Sequence, residues 1–496
     1  MIARRLGLRV VLLERGTHPR FAIGESASPL AGVVIEQLAQ RYDLPRLAPL
    51  AAYGAWRRHH PHVTCGLKRG FTYYKHVDHQ RFVQRPDRAN ELLVAASPSD
   101  ELSDTHWLRA DVDLFLMQEA VSLGADYLDQ AQLDAIEWRA DHAELSGVRR
   151  GAPIRVAARF VVDASGPRGF LSRALPIEGG DFAGYPGTQA LYSHFTGVAR
   201  CADMPEFATR EQPPYPVDAA ALHHVFDGGW MWVLRFDNGV TSAGVAVTDA
   251  LAADLRLADG EPAWHRLLAR YPSVAAQFFE AQPVRQFTWM PRLAWRATCA
   301  SGERWALLPS AAGFIDPLFS TGIPLTLLGI ERLARGVSAS RSGPRGVRPT
   351  FSGARRMTDY AAATLAEADH VARFIAGCYA AFPRFEDFTA WSMFYFAAAS
   401  FSEMSRRLHG DTWSRGFLFA GDDRLRRAMH DCSPLDWAMA DRDARAAAAI
   451  EPINVAGLAD PAKRNWYDVD EEDTVRAAHK LGASGDAIRR LFAVTN

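Results

Sequence analysis

The segment Gly313–Ile323 (GFIDPLFSTGI) has the clearest chemical character, because it leads directly into the helix-forming stretch Pro324–Arg335. The leading proline suits the first position of a helix, where its missing N–H has no partner to lose. Backbone N–H groups at a helix N-terminus carry partial positive charge and bind anions. The sequence therefore predicts a loop and a helix in which the backbone around Ser320, Thr321 and Gly322 holds an anionic group.

A second group of residues has the pattern of a dinucleotide-binding fold. Leu8–Leu13 (LRVVLL) predicts a strand buried on both faces of a parallel sheet, and Glu14 follows at its carboxyl end. In such folds an acid at that place accepts hydrogen bonds from the adenosine ribose. The glycine-rich turn expected about 20 residues earlier is not present in the chain, and Met1–Gly7 has the pattern of the end of the helix that follows such a turn.

Two explanations for the missing turn stay open: a start site placed too far downstream, or real divergence. The first strand is central in this fold, so its loss leaves the edges of neighbouring strands unpaired. One buried strand contributes free energy of the same order as the net stability of a fold. We therefore expect the chain as written to be poorly stable and to bind its dinucleotide weakly.

Two further positions have chemistry suited to a dinucleotide. Asp163 ends an apolar strand and is followed by Ala164-Ser165-Gly166, whose small side chains let the backbone approach a ligand closely. The alternative is an ordinary strand-to-helix turn. Arg109 opens a predicted helix, and its guanidinium suits a phosphate group, whereas the alternative is a surface arginine that caps the helix.

The composition excludes several classes of protein. The 496 residues carry 56 Lys and Arg against 57 Asp and Glu, so the net charge of -1 does not favour nucleic acid. Five scattered cysteines without a C-x-x-C pair suit a reducing compartment, and we expect a cytoplasmic protein. No apolar run is long enough for a membrane span. The histidines at His59, His60 and His62 match no zinc-binding spacing, so no metal site is predicted.

The chain resembles the flavin-dependent halogenase and FAD-dependent monooxygenase family, and is most similar to its tryptophan halogenase-like members. The stretch Pro19–Ser26 (PRFAIGES) and the long run Ala311–Ile323 match motifs of that family. Leu108-Arg109-Ala110-Asp111, Val161–Gly166 and Gly229–Val233 occur in the same order as in the family. The resemblance covers about residues 8 to 335.

The resemblance implies an α/β fold with a Rossmann-like FAD-binding domain, a mixed β-sheet substrate domain and a helical C-terminal region. The FAD-binding domain, incomplete at its N-terminus, would consist of residues 1–50, 100–180 and 295–345. It would be interleaved with the substrate-binding sheet of residues 51–99 and 181–294. Residues 346–496 would form a helical C-terminal cover over the substrate side.

The resemblance also implies roles for particular residues. FAD would contact Glu14, Arg109, Asp163, Gly166, Gly313, Asp316, Pro317, Ser320, Thr321, Gly322 and Ile323. Lys68, in the context KRGFTY, would be a catalytic residue together with Thr321 and Gly322, although the residues alone favour a surface lysine on a basic strand. Trp230 and Trp232 would wall the substrate pocket, although alternation along a strand also makes them core residues.

The sequence departs from the family pattern in two internal places. Leu308-Pro309-Ser310 stands where relatives have a Gly-Asp pair that binds the flavin, which predicts a weaker grip on the cofactor. Leu234-Arg235 replaces the Ile-Pro half of the family's W-x-W-x-I-P element. The altered element favours hydroxylation, whereas Lys68 favours halogenation.

The predicted function is therefore that of a flavin-dependent oxidoreductase that uses a C4a-hydroperoxyflavin to halogenate or hydroxylate an aromatic substrate, either a small molecule or a protein-bound group. The chain has no second nucleotide fingerprint, so a separate flavin reductase would supply reduced FAD, with halide as a possible co-substrate. Two alternatives stay open. One is a hydroxylase that matures a protein-bound tryptophan, and the other is a flavin-less pseudoenzyme or accessory protein that retains the fold.

Overall fold

The computed structural model describes residues 1–209, 211–340, 354–413, 415–432 and 442–495. Within the regions predicted from the sequence, residues 341–345 of the FAD-binding domain, residue 210 of the substrate domain, and residues 346–353, 414, 433–441 and 496 of the C-terminal cover lie outside the described residues. The described part is mixed α/β with a mainly helical C-terminal region, as predicted.

A nine-stranded mixed sheet forms the larger layer. Eight of its strands run in the spatial order Gln282–Pro283, Thr188–Thr196, Thr241–Thr248, Gly229–Arg235, Ala221–Phe226, Gly70–Lys75, Glu91–Ala95 and Trp466–Tyr467. The ninth strand, Thr288–Met290, also pairs with Thr188–Thr196, on the same edge as Gln282–Pro283. Neighbouring strands are antiparallel, except that Gly70–Lys75 is parallel to Ala221–Phe226 and the edge strand Trp466–Tyr467 is parallel to its neighbour. The C-terminal region therefore adds a strand to the sheet as well as covering it.

Alternation along the central strands divides their side chains between two cores. Trp230 and Trp232 face one core together with Phe71, whereas Met231 and Val233 face the other. Both faces of the strand Gly229–Arg235 are covered, so nearly all of its residues are buried. This explains why the strand reads as a continuous apolar and aromatic run.

The segments predicted to form the FAD-binding domain, here called the nucleotide-binding part, contain two small separate sheets. Each of these sheets includes one parallel pair of strands. Val11–Leu13 pairs in parallel with Asp126–Leu128, and Val161–Asp163 pairs in parallel with Trp305–Leu307. Four further groups of strands complete this part and its surroundings: Ser301–Gly302 on the second sheet; an antiparallel meander of Ala131–Trp138, Ala143–Arg149 and Ala152–Ala158; Gly179–Gly180 with Trp295–Ala297 and Gly313–Phe314; and the pair Cys65–Lys68 with Asp104–Trp107.

The prediction that Leu8–Leu13 is a strand buried on both faces is wrong. The strand is Val11–Leu13, and Val11 and Leu12 are 40% and 38% exposed. Within the described residues this strand has a paired neighbour along one edge only, so the layer around it is incomplete and its side chains stay in contact with solvent. Val162, on the first strand of the other small sheet, is likewise 43% exposed.

The helices of the first 340 residues are Ile2–Arg5, Pro29–Arg41, Tyr53–His59, Arg109–Ser122, Phe170–Ala174, Asp249–Asp254, Glu261–Arg270, Pro272–Gln277, Pro309–Ala312 and Gly322–Ser340. The last of these, here called the signature helix, begins two residues before the predicted Pro324. Beyond residue 353 follow Ala354–Ala381, Phe385–His409, Asp423–Asp431, Arg442–Ile450, Glu471–Arg476 and Gly485–Thr495. None of the described helices is both long enough and apolar enough to cross a lipid bilayer.

Helix Phe385–His409, here called the cover helix, packs over the core that contains Trp230. A buried polar clamp holds its C-terminal end. Arg406 donates to Glu331 of the signature helix over 2.8 Å and to Gln37 over 2.8 Å. The side chains of Arg406 and Glu331 are each only 4% exposed. The clamp therefore ties the cover helix to two helices of the nucleotide-binding part.

We expect Glu331→Gln to lower the free energy of unfolding by about 3 kcal/mol, because it leaves the buried Arg406 guanidinium without its compensating charge. Glu472→Gln is the matched control, since Glu472 pairs with Arg489 at the exposed surface, and we expect no measurable change in stability there. Urea denaturation followed by circular dichroism measures both. Equal effects of the two substitutions would contradict the clamp.

Candidate functional site

Lys68 is buried at the centre of the molecule. It ends the strand Cys65–Lys68 and is 0% exposed, so the alternative of a surface lysine is wrong. Its Nζ donates to the carbonyl oxygen of Ala27 over 2.5 Å and to Oγ of Ser320 over 3.1 Å. The same ammonium lies 4.1 Å from the centre of the Phe71 ring. Burial lowers the pKa of Lys68 to about 8, and the carboxyl group of Asp104 opposes this shift.

The turn that Lys68 contacts has a strained backbone. Phe319 and Ser320 have φ angles of 62° and 57°, which are uncommon for residues other than glycine and especially for a bulky aromatic one. The hydroxyl of Tyr395, on the cover helix, donates to the carbonyl oxygen of Phe319 over 2.7 Å. Together with Lys68, it holds the turn from two sides, and the signature helix begins directly after it at Gly322.

The N-terminus of the signature helix has room beside it. A Cβ added to Gly322 would meet no heavy atom within 4 Å, and its φ is not in the left-handed region. The neighbouring Thr321 is buried, and Ile323 packs against a small apolar cluster around Trp56. The N-terminus of the signature helix therefore has open space beside Gly322, and the N-termini of helices attract anions.

Asp316 connects this loop to its surroundings. Its Oδ1 accepts from the backbone N–H of Leu318 over 3.0 Å, and its Oδ2 accepts from the hydroxyls of Tyr379 over 2.8 Å and Tyr185 over 3.3 Å. Burial raises the pKa of Asp316 to about 6. Pro317 follows as the residue before the short helical turn Leu318–Ser320. In the structure, Asp316 therefore fixes the shape of the loop.

Aromatic side chains fill the interface between the sheet and the cover helix. From the sheet come Tyr73, stacked 4.3 Å from His223, and Trp230, 5.4 Å from the same histidine. Trp232 lies 5.7 Å from Trp230 and donates from its indole to Ser242. From the cover helix, Phe388 packs against Tyr73, and Tyr395 and Phe396 pack against Phe319. Trp230 and Trp232 are both core residues and members of this aromatic wall.

The other predicted nucleotide contacts already have partners in the protein. Glu14 accepts from the backbone N–H of Gly16 over 2.7 Å and from Nε of Arg20 over 2.9 Å. Arg109 pairs with Asp113 and donates to the carbonyl oxygens of Ile23 and Gly24 at 3.0 and 3.1 Å. Arg109 therefore braces the PRFAIGES segment.

The predicted turn after Asp163 has the expected form. Asp163 accepts from the backbone N–H groups of Ser165 and Leu171, each over 2.7 Å. Gly166 has a φ of 84°, and a Cβ there would meet nothing within 4 Å. Gly313 pairs with Arg296 in a short strand, and a Cβ on it would touch Phe182 and Trp295. The carboxylate of Asp163 therefore stabilises the turn that follows its strand, and Gly166 in that turn borders open space.

The structure brings Lys68, Ser320 and the N-terminus of the signature helix together. Sequence reasoning missed Asp104, which lies directly opposite Lys68, and the tyrosines Tyr379 and Tyr395 on the C-terminal helices. The strand DTHW around Asp104 carries a charged residue in an otherwise buried pattern. The sequence DTHW is itself polar, so no pattern in it singles out Asp104, and only the structure shows that the strand is buried.

Comparison with known proteins gives one matching family model, described as tryptophan halogenase, over residues 80–399. Monodechloroaminopyrrolnitrin halogenase PrnC from Pseudomonas fluorescens is 29% identical over 392 residues, which are 78% of this chain and 66% of that protein. Tetracycline 7-halogenase from Kitasatospora aureofaciens is 31% identical over 332 residues, which are 66% of this chain and 58% of that protein. The chain thus spans about two thirds or less of the length of these relatives.

Solved structures show the same fold. Halogenase PltM in complex with phloroglucinol and FAD superposes with a TM-score of 0.80 at 23% identity, covering 93% of this chain and 95% of that one. The flavin-dependent brominase Bmp2 superposes with a TM-score of 0.61 at 20% identity, covering 87% and 94%. The α/β fold predicted from the sequence is confirmed, and so is the family resemblance. The chain therefore belongs to the flavin-dependent tryptophan halogenase family.

Proposed function

We propose that this chain catalyses the flavin-dependent halogenation of an aromatic substrate, with Lys68 as a catalytic residue. One observation carries the proposal: the buried ammonium of Lys68 is hydrogen-bonded to Ser320, in the turn that opens the signature helix. An ammonium kept dry beside a helix N-terminus is suited to bind and orient an electrophilic halogen. This geometry favours halogenation over hydroxylation.

The residues present fit the ring end of FAD better than its adenine end. The open space at Gly322 and the positive end of the signature helix suit an anionic flavin ring. Arg109 would act by holding the loop at Gly24, and Glu14 would have to exchange its bond to Arg20 for a ribose hydroxyl. Reduced FAD, when bound, would react with dioxygen and halide to supply the oxidised halogen. A separate flavin reductase would deliver the reduced FAD.

Lys68 would donate a hydrogen bond to the oxygen of a hypohalous acid and direct its halogen at the substrate. The substrate carbon would form its bond to halogen as the oxygen–halogen bond breaks. The hydroxide released would take up a proton to become water, and the ring carbon would lose its own proton to solvent. A planar substrate would stack against Tyr73, His223 and Trp230 on the sheet, which would fix the reacting carbon. Phe388 of the cover helix lies 5.2 Å from Tyr73, so the rings of the cover helix would have to move aside to admit the substrate. The cover helix would exclude water from the electrophile.

The substrate class proposed is an electron-rich aromatic, such as a phenol or a pyrrole. The solved relative PltM was crystallised with phloroglucinol, and another relative, from Pseudoalteromonas luteoviolacea, is a brominase of a pyrrole carried by a peptidyl-carrier protein. A wall of rings with the buried hydroxyl of Tyr73 suits such a planar group. Free and carrier-bound phenols and pyrroles are therefore the substrates to test.

We expect Gly322→Ala to weaken FAD binding by on the order of tenfold, which equals about 1.4 kcal/mol, because the added methyl group enters the space that the flavin ring would occupy. Gly336→Ala is the matched control, since Gly336 lies on the same helix and a Cβ there also meets nothing within 4 Å. Neither change should lower the thermal midpoint. Titration of FAD by quenching of its fluorescence measures the affinity. Unchanged affinity in Gly322→Ala would place the flavin elsewhere.

We expect Lys68→Met to reduce the yield of halogenated product by about 100-fold or more, because it removes the ammonium while keeping the length of the side chain. Reduction and reoxidation of flavin should continue, since Lys68 bonds to Ser320 among the predicted FAD contacts and leaves the bonds of Glu14 and Arg109 unchanged. The assay contains FAD, a flavin reductase with NADH, bromide or chloride, and phenol and pyrrole probes, with products identified by mass spectrometry.

The matched control is Lys480→Met, which removes a lysine whose Nζ bonds to the carbonyl oxygens of Glu451 and Asn454 in the C-terminal region. We expect it to leave product formation unchanged. Halogenation that persists in Lys68→Met would contradict the catalytic role. A hydroxylated product from the wild-type protein would overturn halogenation, and a folded protein that shows no flavin spectrum when saturated with FAD would favour the accessory-protein alternative.

A further inference from the structure

Asp104 is a buried carboxyl group with an unpaired oxygen and no evident structural role. It begins the strand Asp104–Trp107, and in the antiparallel pairing with Cys65–Lys68 its Cα partner is Lys68. Directly opposed residues of such a pair point to the same face of the sheet. Asp104 is 4% exposed, and its Oδ2 has no hydrogen-bond partner among the described residues. A buried carboxylate without partners is costly.

The two groups are neighbours without direct contact. The described residues contain no ion pair to Lys68 within 4.0 Å, because its Nζ is directed at Ala27 and Ser320 instead. Beyond that distance, in a buried site, each charge still favours the ionised form of the other. Burial raises the pKa of Asp104 to about 8, and the Lys68 ammonium opposes that shift. Asp104 therefore gains its negative charge in the same pH range in which Lys68 titrates, and it acts on Lys68 there.

We propose that Asp104 keeps the Lys68 ammonium charged and directed at the turn Phe319–Gly322, and so acts as a positioning residue for the halogenation proposed above, on which this inference rests. A direct salt bridge would hold the ammonium on the carboxylate and away from the turn. A carboxylate behind the lysine, out of hydrogen-bonding range, stabilises the positive charge while leaving the N–H donors free to bind Ser320 and a reacting group.

The other titratable groups near this pair do not replace Asp104. His106 on the same strand and His223 on the sheet are buried, and burial lowers the pKa of each to about 3, so both are uncharged at neutral pH. From the cover helix, Glu403 and Arg407 act on Asp104, but they pair with each other over 2.9 Å and their charges offset.

Two more groups complete the surroundings. Tyr395 faces Asp104, and burial together with that carboxylate raises its pKa, so it stays neutral. Glu36 acts on Arg407 and not on the lysine. Asp104 is thus the one acidic group among the described residues that acts on Lys68 itself.

The choice of a lysine at this position supports the inference. The chain uses only four lysines, Lys68, Lys75, Lys463 and Lys480, among its 56 basic residues. Arginine is always charged, whereas the charge of a buried lysine depends on its neighbours. A protein that uses arginine nearly everywhere has kept, in its buried centre, the basic residue whose charge a neighbouring carboxylate can control.

The test measures the ionisation of Lys68 directly. Protein labelled with lysine that carries ¹³C at Cε gives four side-chain signals, and Lys68→Met identifies the one from Lys68. We expect the Lys68 signal of the wild-type protein to titrate near pH 8. In Asp104→Asn the midpoint should fall by at least about 1 pH unit, because the stabilising negative charge is gone. Asp104→Glu, which restores the carboxylate, should return the midpoint towards the wild-type value.

The same variants are then assayed for halogenation from pH 6 to pH 10. The limb of the pH profile that belongs to Lys68 should move to lower pH in Asp104→Asn by the same amount as the NMR midpoint. Asp473→Asn is the matched control, since Asp473 pairs with Lys463 over 2.7 Å in the C-terminal region. It should change stability without moving the pH profile or the Lys68 signal.

The outcomes separate the two proposals. A Lys68 midpoint that stays in place in Asp104→Asn overturns the role of Asp104, whatever the activity. An NMR shift without a matching shift of the pH profile also overturns it as a positioning residue. If Asp104→Asn shifts the Lys68 midpoint but the wild-type protein halogenates none of the probes, the coupling of the two groups is supported and the proposed function is contradicted.

Discussion

The ammonium of Lys68 joins two segments that are distant in the sequence. One hydrogen bond reaches Ala27, just after the PRFAIGES segment, and the other reaches Ser320, just before the signature helix. Both segments are held by further contacts, Arg109 on the first and Tyr395 on the second. A desolvated charge tolerates few arrangements of its neighbours, so this one side chain fixes the relative position of the loop and the helix N-terminus.

The C-terminal region makes that desolvation possible. The cover helix lays a continuous aromatic surface over the face of the sheet that carries Tyr73 and Trp230. Its far end is fastened by the bonds of Arg406 to Glu331 and Gln37. Since Glu331 belongs to the signature helix, the helix that covers the core around Lys68 is anchored on the helix whose N-terminus lies beside Lys68. The cover helix and the signature helix are therefore connected through one buried ion pair.

The departures from the family pattern have structural counterparts. Arg235, which replaces the proline of the W-x-W-x-I-P element, donates to the carbonyl oxygens of Val198 and Ala199. This arginine ties the end of its central strand to the loop after Thr188–Thr196 and does not join the aromatic cluster around Trp230. Ser310 lies in the short helix Pro309–Ala312, where no carboxylate is supplied. At Ser310 the chain therefore lacks the carboxylate that the family pattern supplies.

Local patterns determined much of this protein. The apolar alternation of GWMWVLR, the proline near the start of the signature helix and the strand before Asp163 each depend on neighbouring residues, and each was placed correctly. The burial of Leu8–Leu13 was not, because burial depends on which strands lie beside it. The roles proposed for Lys68, Asp316 and the two tryptophans came from the family resemblance.

The tertiary structure alone decided what surrounds these residues. Asp104 meets Lys68 only through the register of two strands separated by more than thirty residues, and Tyr395 reaches the strained turn from a helix near the end of the chain. The ionisation of a side chain depends on the charges and the solvent around it in space. A sequence shows which residues can carry charge, but only folding determines which of them lose water together.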